Sequence, residues 1–540
     1  MKRRTFIKAT AATAAATVIA PKITHSKVFD VIPNDEIFEA PSDNIMIILE
    51  LFGGNDGLNT VVPADNDDYY NIRPYLSIPK NLLDKVVDSA NNTVYLHPAL
   101  TKDVPNGGMK RMFENGSLGI VEGIGFEPTN MSHFRAQDIW LSGINSSDAS
   151  VNLTEGWLGR FFAMKLPQFP LVIPENPIAI QIGGTLSLMF RSKKGDMGMA
   201  INSVDDFYNL AKGLAPIDPM MTANTDYAGE FNFVHVIAQQ TEMYANAVKA
   251  AYDKGIKLID EGNYTDGLAQ KFKTIAALIA GGLQTQIYYV NLSNFDSHAQ
   301  QQNEISGTDV TGQHPTLLKH IADSISGFLL DATKLGFADR IAGMTSSEFG
   351  RRAYDNGSRG TDHGAASMQF IFGGAYVNGG YFGEYPKISE NDWDEDGNIK
   401  MQYDYRRTYS EFLRVWFGAT EQEIEEVFKT GGEIDLSNIG VLKPRSVSVE
   451  DTVKGEWGSQ LNVFPNPNHG QSVLKFELAR DATVRINIFD LKGRLVKSVF
   501  DGTLPAGLQS FDLSIAQAGS YICAAIINNK RYVANFNVIK

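Results

Sequence analysis

The stretch Arg340-Ile-Ala-Gly-Met-Thr-Ser-Ser-Glu-Phe-Gly-Arg-Arg352 decides the fold. Its first part is a run of strand length, and its second part carries Glu348, Arg351 and Arg352. Asp362 and His363 follow in Thr361-Asp-His-Gly364. Open α/β sheets place their sites just past the carboxyl ends of strands. A second case is Gln286-Ile-Tyr-Tyr-Val-Asn-Leu-Ser293, which runs into Asn294-Phe-Asp-Ser-His298. Either cluster alone reads as a polar loop capping a strand. Two in the same arrangement point to a metal-dependent hydrolase.

The rest of the body, from about residue 43 to residue 440, alternates apolar strands with helical patterns. Further strands are expected at Ile45–Phe52, Leu118–Gly123, Ile178–Ile182 and Met368–Phe372. Apolar spacing near 3.6 predicts helices at Val236–Lys257, Leu268–Ile279, His314–Leu335 and Tyr405–Phe417. Strand–helix alternation implies an α/β fold, a mostly parallel sheet with helices on both faces.

The first strand ends in Gly53-Gly-Asn-Asp-Gly-Leu-Asn59. Its glycines let the backbone approach a ligand closely, and Asp56 would project into the same crevice. A plain turn accounts for Asn-Asp-Gly equally well. The second strand leads into Pro128-Thr-Asn-Met-Ser-His-Phe-Arg135. Asn130 or Ser132 can cap the helix that follows. A hydroxyl there lies in a favourable field for attack or anion binding, and Arg135 could hold an anionic substrate. A helix cap plus a surface arginine is the alternative. His133, Ser132's neighbour, diverges from it by about 100° on a helix and is poorly placed as its base.

At 540 residues the chain exceeds one ordinary core. The formal charge of −14 leaves no basic surface for nucleic acid. The single cysteine, Cys523, excludes an internal disulfide and a cysteine-based zinc site.

Both ends read as address labels. Residues 1–26 begin Met1-Lys-Arg-Arg-Thr-Phe-Ile-Lys8 and continue through a short Ala/Thr-rich run. Arg3-Arg4-x-Phe6-Ile7-Lys8 resembles the twin-arginine export signal, which implies the twin-arginine translocon as partner of residues 1–20 and export of a folded chain. Residues 441–458 read as a linker. Residues 459–540 show short alternating strands that argue for a small all-β sandwich. Asn462-Val-Phe-Pro-Asn-Pro-Asn468, Ile488-Phe-Asp-Leu-Lys-Gly-Arg-Leu-Val496 and Gly519-Ser-Tyr521 resemble the type A sorting domain of the type IX secretion system. That resemblance implies the type IX machinery as partner and a secreted or outer-membrane surface location.

The body, about residues 43–430, resembles the family known as domain of unknown function 1501. The resemblance rests on Leu51–Asn59, Ser132–Asp138, Phe295–His298, Ser347–Arg351 and Thr361–Gly364. The family is grouped with the alkaline phosphatase and sulfatase superfamily, so an alkaline-phosphatase-like fold is implied. By chain order the resemblance implies Asp56 as an early metal ligand and Ser132 (or Thr129) as nucleophile. It implies Asp296 and His298 as paired ligands, Glu348 as the acidic ligand and His363 as the final histidine. Asp362 becomes a supporting or additional ligand. One site would then hold Asp296, His298 and His363, and another Asp56 and Glu348. Mixed nitrogen and oxygen donors suit Zn²⁺ or Mn²⁺, while an all-oxygen site suits Ca²⁺ or Mg²⁺. Arg135 or Arg351 would stabilise the oxygens of an anionic ester. The sulfatase signature with proline and arginine after the nucleophile is missing from Ser132-His-Phe-Arg135. Two functions follow as expectations. One is an exported hydrolase of phosphate or sulfate esters. The other is a non-catalytic surface protein that keeps the fold and binds glycan or peptide.

Overall fold

The computed structural model describes residues 43–212, 226–444 and 462–539, apart from short interruptions. The residues expected to form an export signal, and most of those expected to form a linker, lie outside the described residues. The chain divides into two compact units, one up to Pro444 and one from Arg445.

In chain order, the strands of the first unit that matter for the site are β1 (Ile45–Leu51), β2 (Leu118–Gly125), β3 (Ala179–Ile182), β4 (Met199–Ile201), β5 (Ile287–Leu292), β6 (Ile341–Ser346), β7 (Gly350–Arg351), β8 (His363–Gly364), β9 (Ser367–Gly373), β10 (Gly380–Phe382) and β11 (Tyr403–Asp404). The helices are α1 (His133–Ser142), α2 (Trp157–Lys165), α3 (Asp226–Gly255), α4 (Gly267–Ala280), α5 (Gln313–Lys334) and α6 (Arg406–Glu411).

The main sheet has the order β10-β2-β9-β6-β1-β5-β3-β4, with β11 also pairing β2. β1 pairs β6 and β5 in parallel, and β5 pairs β3 in parallel. β9 runs antiparallel to both β6 and β2. The sheet is therefore mostly parallel with one reversed strand, as the alternation implies.

β1, Ile-Met-Ile-Ile-Leu-Glu-Leu, is buried along its whole length. Alternate side chains of a strand point to opposite faces. Ile45, Ile47, Leu49 and Leu51 enter one core with Phe272 and Ile275 of α4 and Leu318 and Ile321 of α5. Met46 and Ile48 enter a second core with Ile139 and Trp140 of α1 and Trp157 and Phe161 of α2. Both faces are covered, which is why the strand reads as a continuous apolar run.

The helix expected over Tyr405–Phe417 is shorter. α6 stops at Glu411, and the chain loosens into a π turn over Phe412–Trp416.

The second unit is antiparallel β. β12 (Asn462–Phe464), β13 (Val473–Leu478), β14 (Ala482–Asp490), β15 (Leu495–Leu504), β16 (Gly507–Asp512), β17 (Gly519–Ile527) and β18 (Lys530–Val538) form two sheets, β12-β13-β16 and β15-β14-β17-β18. Leu474 and Phe476 of one sheet share a core with Val484, Ile486 and Cys523 of the other.

Candidate metal centre

The carboxyl ends of β1, β5 and β6 deliver three loops to one edge of the sheet, and α1 follows β2 from the same edge. β9 starts at that edge because it runs the other way, so the residues just before it, including His363, arrive there too.

Close packing fixes the loops. Gly53 has φ +122°, and a Cβ on it would sit 2.2 Å from the Asp296 nitrogen, so only glycine fits. Arg351 is 1% exposed and ties the loops together. Its Nε donates to Gly54 O (2.9 Å), Nη1 to Thr361 O (2.8 Å), and Nη2 to Phe295 O (3.0 Å), Asp296 Oδ1 (2.8 Å) and Gly53 O.

Three imidazoles surround Asp296. His363 Nε2 and His298 Nε2 each lie 3.2 Å from Asp296 Oδ1, and His133 Nε2 lies 3.4 Å from Oδ2. Each ring is anchored through its other nitrogen. His363 Nδ1 is 2.9 Å from Met131 O, His298 Nδ1 is 2.9 Å from Asp362 Oδ1, and His133 Nδ1 is 2.8 Å from Glu348 Oε1. A carbonyl or carboxylate oxygen only accepts, so each Nδ1 carries the proton of a neutral ring and each Nε2 presents a lone pair. His298 Nε2 and His363 Nε2 are only 3.0 Å apart.

Two lone pairs and an anionic oxygen facing one another need positive charge between them. The N–N separation is close to the roughly 3.3 Å edge of a tetrahedron with metal–nitrogen bonds of about 2.0 Å. His133, Asp296 and His363 each offer a ligand atom, all within 4.8 Å of one another. The donor set therefore fits a divalent cation.

Electrostatics agree with this arrangement. Burial opposes ionisation of Asp296, but the hydrogen bond and positive charge of Arg351 prevail and hold its pKa at about 2. The bond to Glu348 raises the pKa of His133, while burial lowers that of His363.

Of the residues expected from sequence, Asp296, His298, Asp362 and His363 come together. Asp362 orients His298 and takes a further bond from Asn356 Nδ2 at 3.3 Å. Ser132 sits exposed at the start of α1, between Met131 and His133, and its side chain makes no capping bond. Thr129 is half-buried three residues earlier.

Three assignments change. Arg135 does not face a substrate: its Nε, Nη1 and Nη2 bind the carbonyls of Ser146, Val151 and Asp148 and pin that loop. Arg351 is buried and bound to five acceptors, so it shapes the site and is not free to clamp an ester. Asp56 does not pair with Glu348. It is buried against Arg73 Nη1 (2.7 Å) and Gln301 Nε2 (2.5 Å), because a buried carboxylate requires a charged partner.

His133 is the residue that sequence reasoning set aside. The signal was available in the helix period. Residues 133, 136, 137 and 140 share one face of α1, and Ala136 and Trp140 are buried. Gln137 on that face donates to buried Glu50 at 2.7 Å, which turns His133 toward the strand ends.

The family described as "Protein of unknown function (DUF1501)" matches residues 226–428. That span holds Asp296, His298, Glu348, Arg351, Asp362 and His363, and is narrower than the 43–430 expected. The "Secretion system C-terminal sorting domain" matches residues 462–540. The chain is therefore exported, to the cell surface or the medium, and its C-terminal unit engages the type IX secretion machinery.

No curated protein matches the chain. Among solved structures, it is similar to the PsFucS1 sulfatase from Pseudoalteromonas sp., with 10% identity, 96% of this chain and 88% of that one covered, and a TM-score of 0.31. It is also similar to Ps i-CgsB in complex with k-i-k-neocarrahexaose, with 9% identity, coverage of 81% and 83%, and a TM-score of 0.30. A lipoprotein structure from Bacillus anthracis matches at 11% identity, over 15% of this chain and 75% of that one, with a TM-score of 0.11.

Proposed function

We propose that this exported chain is a metal-dependent hydrolase of phosphate or sulfate esters. One observation carries the reading: three imidazoles, each with Nδ1 anchored, turn Nε2 toward the single carboxylate of Asp296. Imidazole and carboxylate donors together suit Zn²⁺ or Mn²⁺ better than Ca²⁺ or Mg²⁺. The chemistry a bound cation supplies there is Lewis-acid polarisation of an ester oxygen.

The chain's own residues do the rest. Arg351 holds Asp296 ionised and in place. Met131, Asp362 and Glu348 orient the rings. Ser132, exposed at the first turn of α1 and next to His133, is the attacking hydroxyl, with Thr129 as the alternative. The amino end of α1 favours an anionic group.

A second reading has one observation in its favour. Both arginines expected to grip an anionic ester, Arg135 and Arg351, are bound internally. A surface protein that binds glycan or peptide without turnover would need neither.

The test is metal content of the full chain purified without chelators, followed by a phosphate- and sulfate-ester panel on wild type, His363→Ala and Ser132→Ala. The hydrolase reading expects bound Zn or Mn lost in His363→Ala and turnover lost in Ser132→Ala. Bound metal with no turnover on any ester would favour the binding protein. Absence of metal even after adding Zn²⁺ and Mn²⁺ would remove the basis of the hydrolase.

A further inference from the structure

The number of cations and the role of Glu348 can be argued from the same site, and the argument rests on the metal reading above. The family resemblance implies two cation places, the second built on Asp56 and Glu348. In the structure one oxygen of each of these two carboxylates is engaged by the protein's own donors. Asp56 is 1% exposed, and Arg73 Nη1 stands 2.7 Å from its Oδ2. Glu348 is 3% exposed, and its Oε1 accepts from Gly53 N at 2.7 Å and from His133 Nδ1 at 2.8 Å. Beside Asp296 stands the guanidinium of Arg351, with Nη2 2.8 Å from Oδ1. A second divalent ion there would meet a fixed positive charge.

We propose that the centre binds one divalent cation per chain, with Glu348 serving as the buried acceptor that orients His133 and Arg73 holding the charge of Asp56 where a second cation would sit. Glu348 is thus a positioning residue. Its carboxylate fixes the proton of His133 on Nδ1 and leaves Nε2 bare for the metal. The rings of Phe52 and Phe349, with centroids 5.6 and 4.8 Å from that of His133, flank the imidazole. Glu348 Oε2 and Asp56 Oδ1 are buried with no hydrogen-bond partner, and they are the atoms a second ion would have to use.

The test counts ions. The full chain, stripped by a chelator and dialysed, is titrated with Zn²⁺ by calorimetry, with the bound metal confirmed by mass spectrometry. The expected result for wild type is one ion per chain. E348Q keeps one ion but binds it about 10- to 100-fold more weakly, the usual effect of losing an orienting partner. D56N keeps one ion at unchanged affinity. Two ions per wild-type chain overturn the proposal. So does an E348Q protein that loses an ion while the remaining one binds as before. The wild-type count decides the number of cations even if a variant fails to fold. No Zn²⁺ bound by wild type overturns the metal centre itself and this inference with it, and that result is distinct from a count of two.

Discussion

Replacing Arg351 with methionine removes the clasp that joins three loops while keeping much of the side-chain volume. The variant strands the carbonyls of Gly53, Gly54, Phe295 and Thr361 and the carboxylate of Asp296. A buried acceptor left without a donor costs about 1–3 kcal/mol, so four carbonyls set a ceiling near 12 kcal/mol. Loss of the pair with Asp296 adds little, because that carboxylate is about half exposed and water can solvate it. Relaxation of the loops and entry of water bring the ceiling down, and the expected loss is about 4 kcal/mol. That is a large part of the roughly 5–15 kcal/mol that holds a typical native protein together. Urea unfolding of the full chain, followed by tryptophan fluorescence, measures the change. R351K is expected to recover little, because an ammonium lacks the fork that reaches several carbonyls at once. A loss under about 1 kcal/mol for R351M would refute the argument that this guanidinium organises the site.

Other expectations follow from single residues. Burial raises the pKa of Glu122 to about 8 from its ordinary 4.5, so between these values the folded chain holds a proton that the unfolded chain releases. Its contribution is fully present below about pH 4.5 and fades by about 1.4 kcal/mol per pH unit as pH rises toward 8. Melting curves at pH 5 to 8 should show a steeper loss for wild type than for E122Q, and parallel curves would contradict the assignment. R135A should leave Zn²⁺ affinity unchanged but open the loop at residues 146–151 to proteolysis. A drop in metal affinity without new cleavage would return Arg135 to the site. Cys523 is buried, and burial pushes its thiol up to about 12, so a thiol reagent at pH 8 should modify it only after unfolding. Rapid labelling of the native chain would contradict that placement.

The fold was legible because both faces of β1 are covered, which leaves an unmistakable apolar run from Ile45 to Leu49. The site was legible where ligand-type side chains immediately follow such runs, as at Asp296 and His298. It was less legible where a polar residue's partner lies far along the chain. Asp56 looks like a ligand until Arg73 is seen against it. Arg135 looks like an anion grip until three carbonyls claim it. Residue type and spacing state what a side chain can do, but competition among distant partners decides what it does. His133 lay between these cases. Its place on the inner face of α1 is written in the helix period, whereas its bond to Glu348 spans 215 residues and leaves no local trace.

The bond from Gly53 N to Glu348 spans 295 positions, and the one from Arg351 to Gly53 O spans 298. Contacts of such sequence separation are slow to form, since the entropy of closing the intervening chain is lost before the contact compensates for it. The candidate centre is therefore assembled late in folding. It cannot exist on a nascent chain until residues through His363 have been synthesised and β6 has docked beside β1. Metal uptake would then report the completion of the whole body.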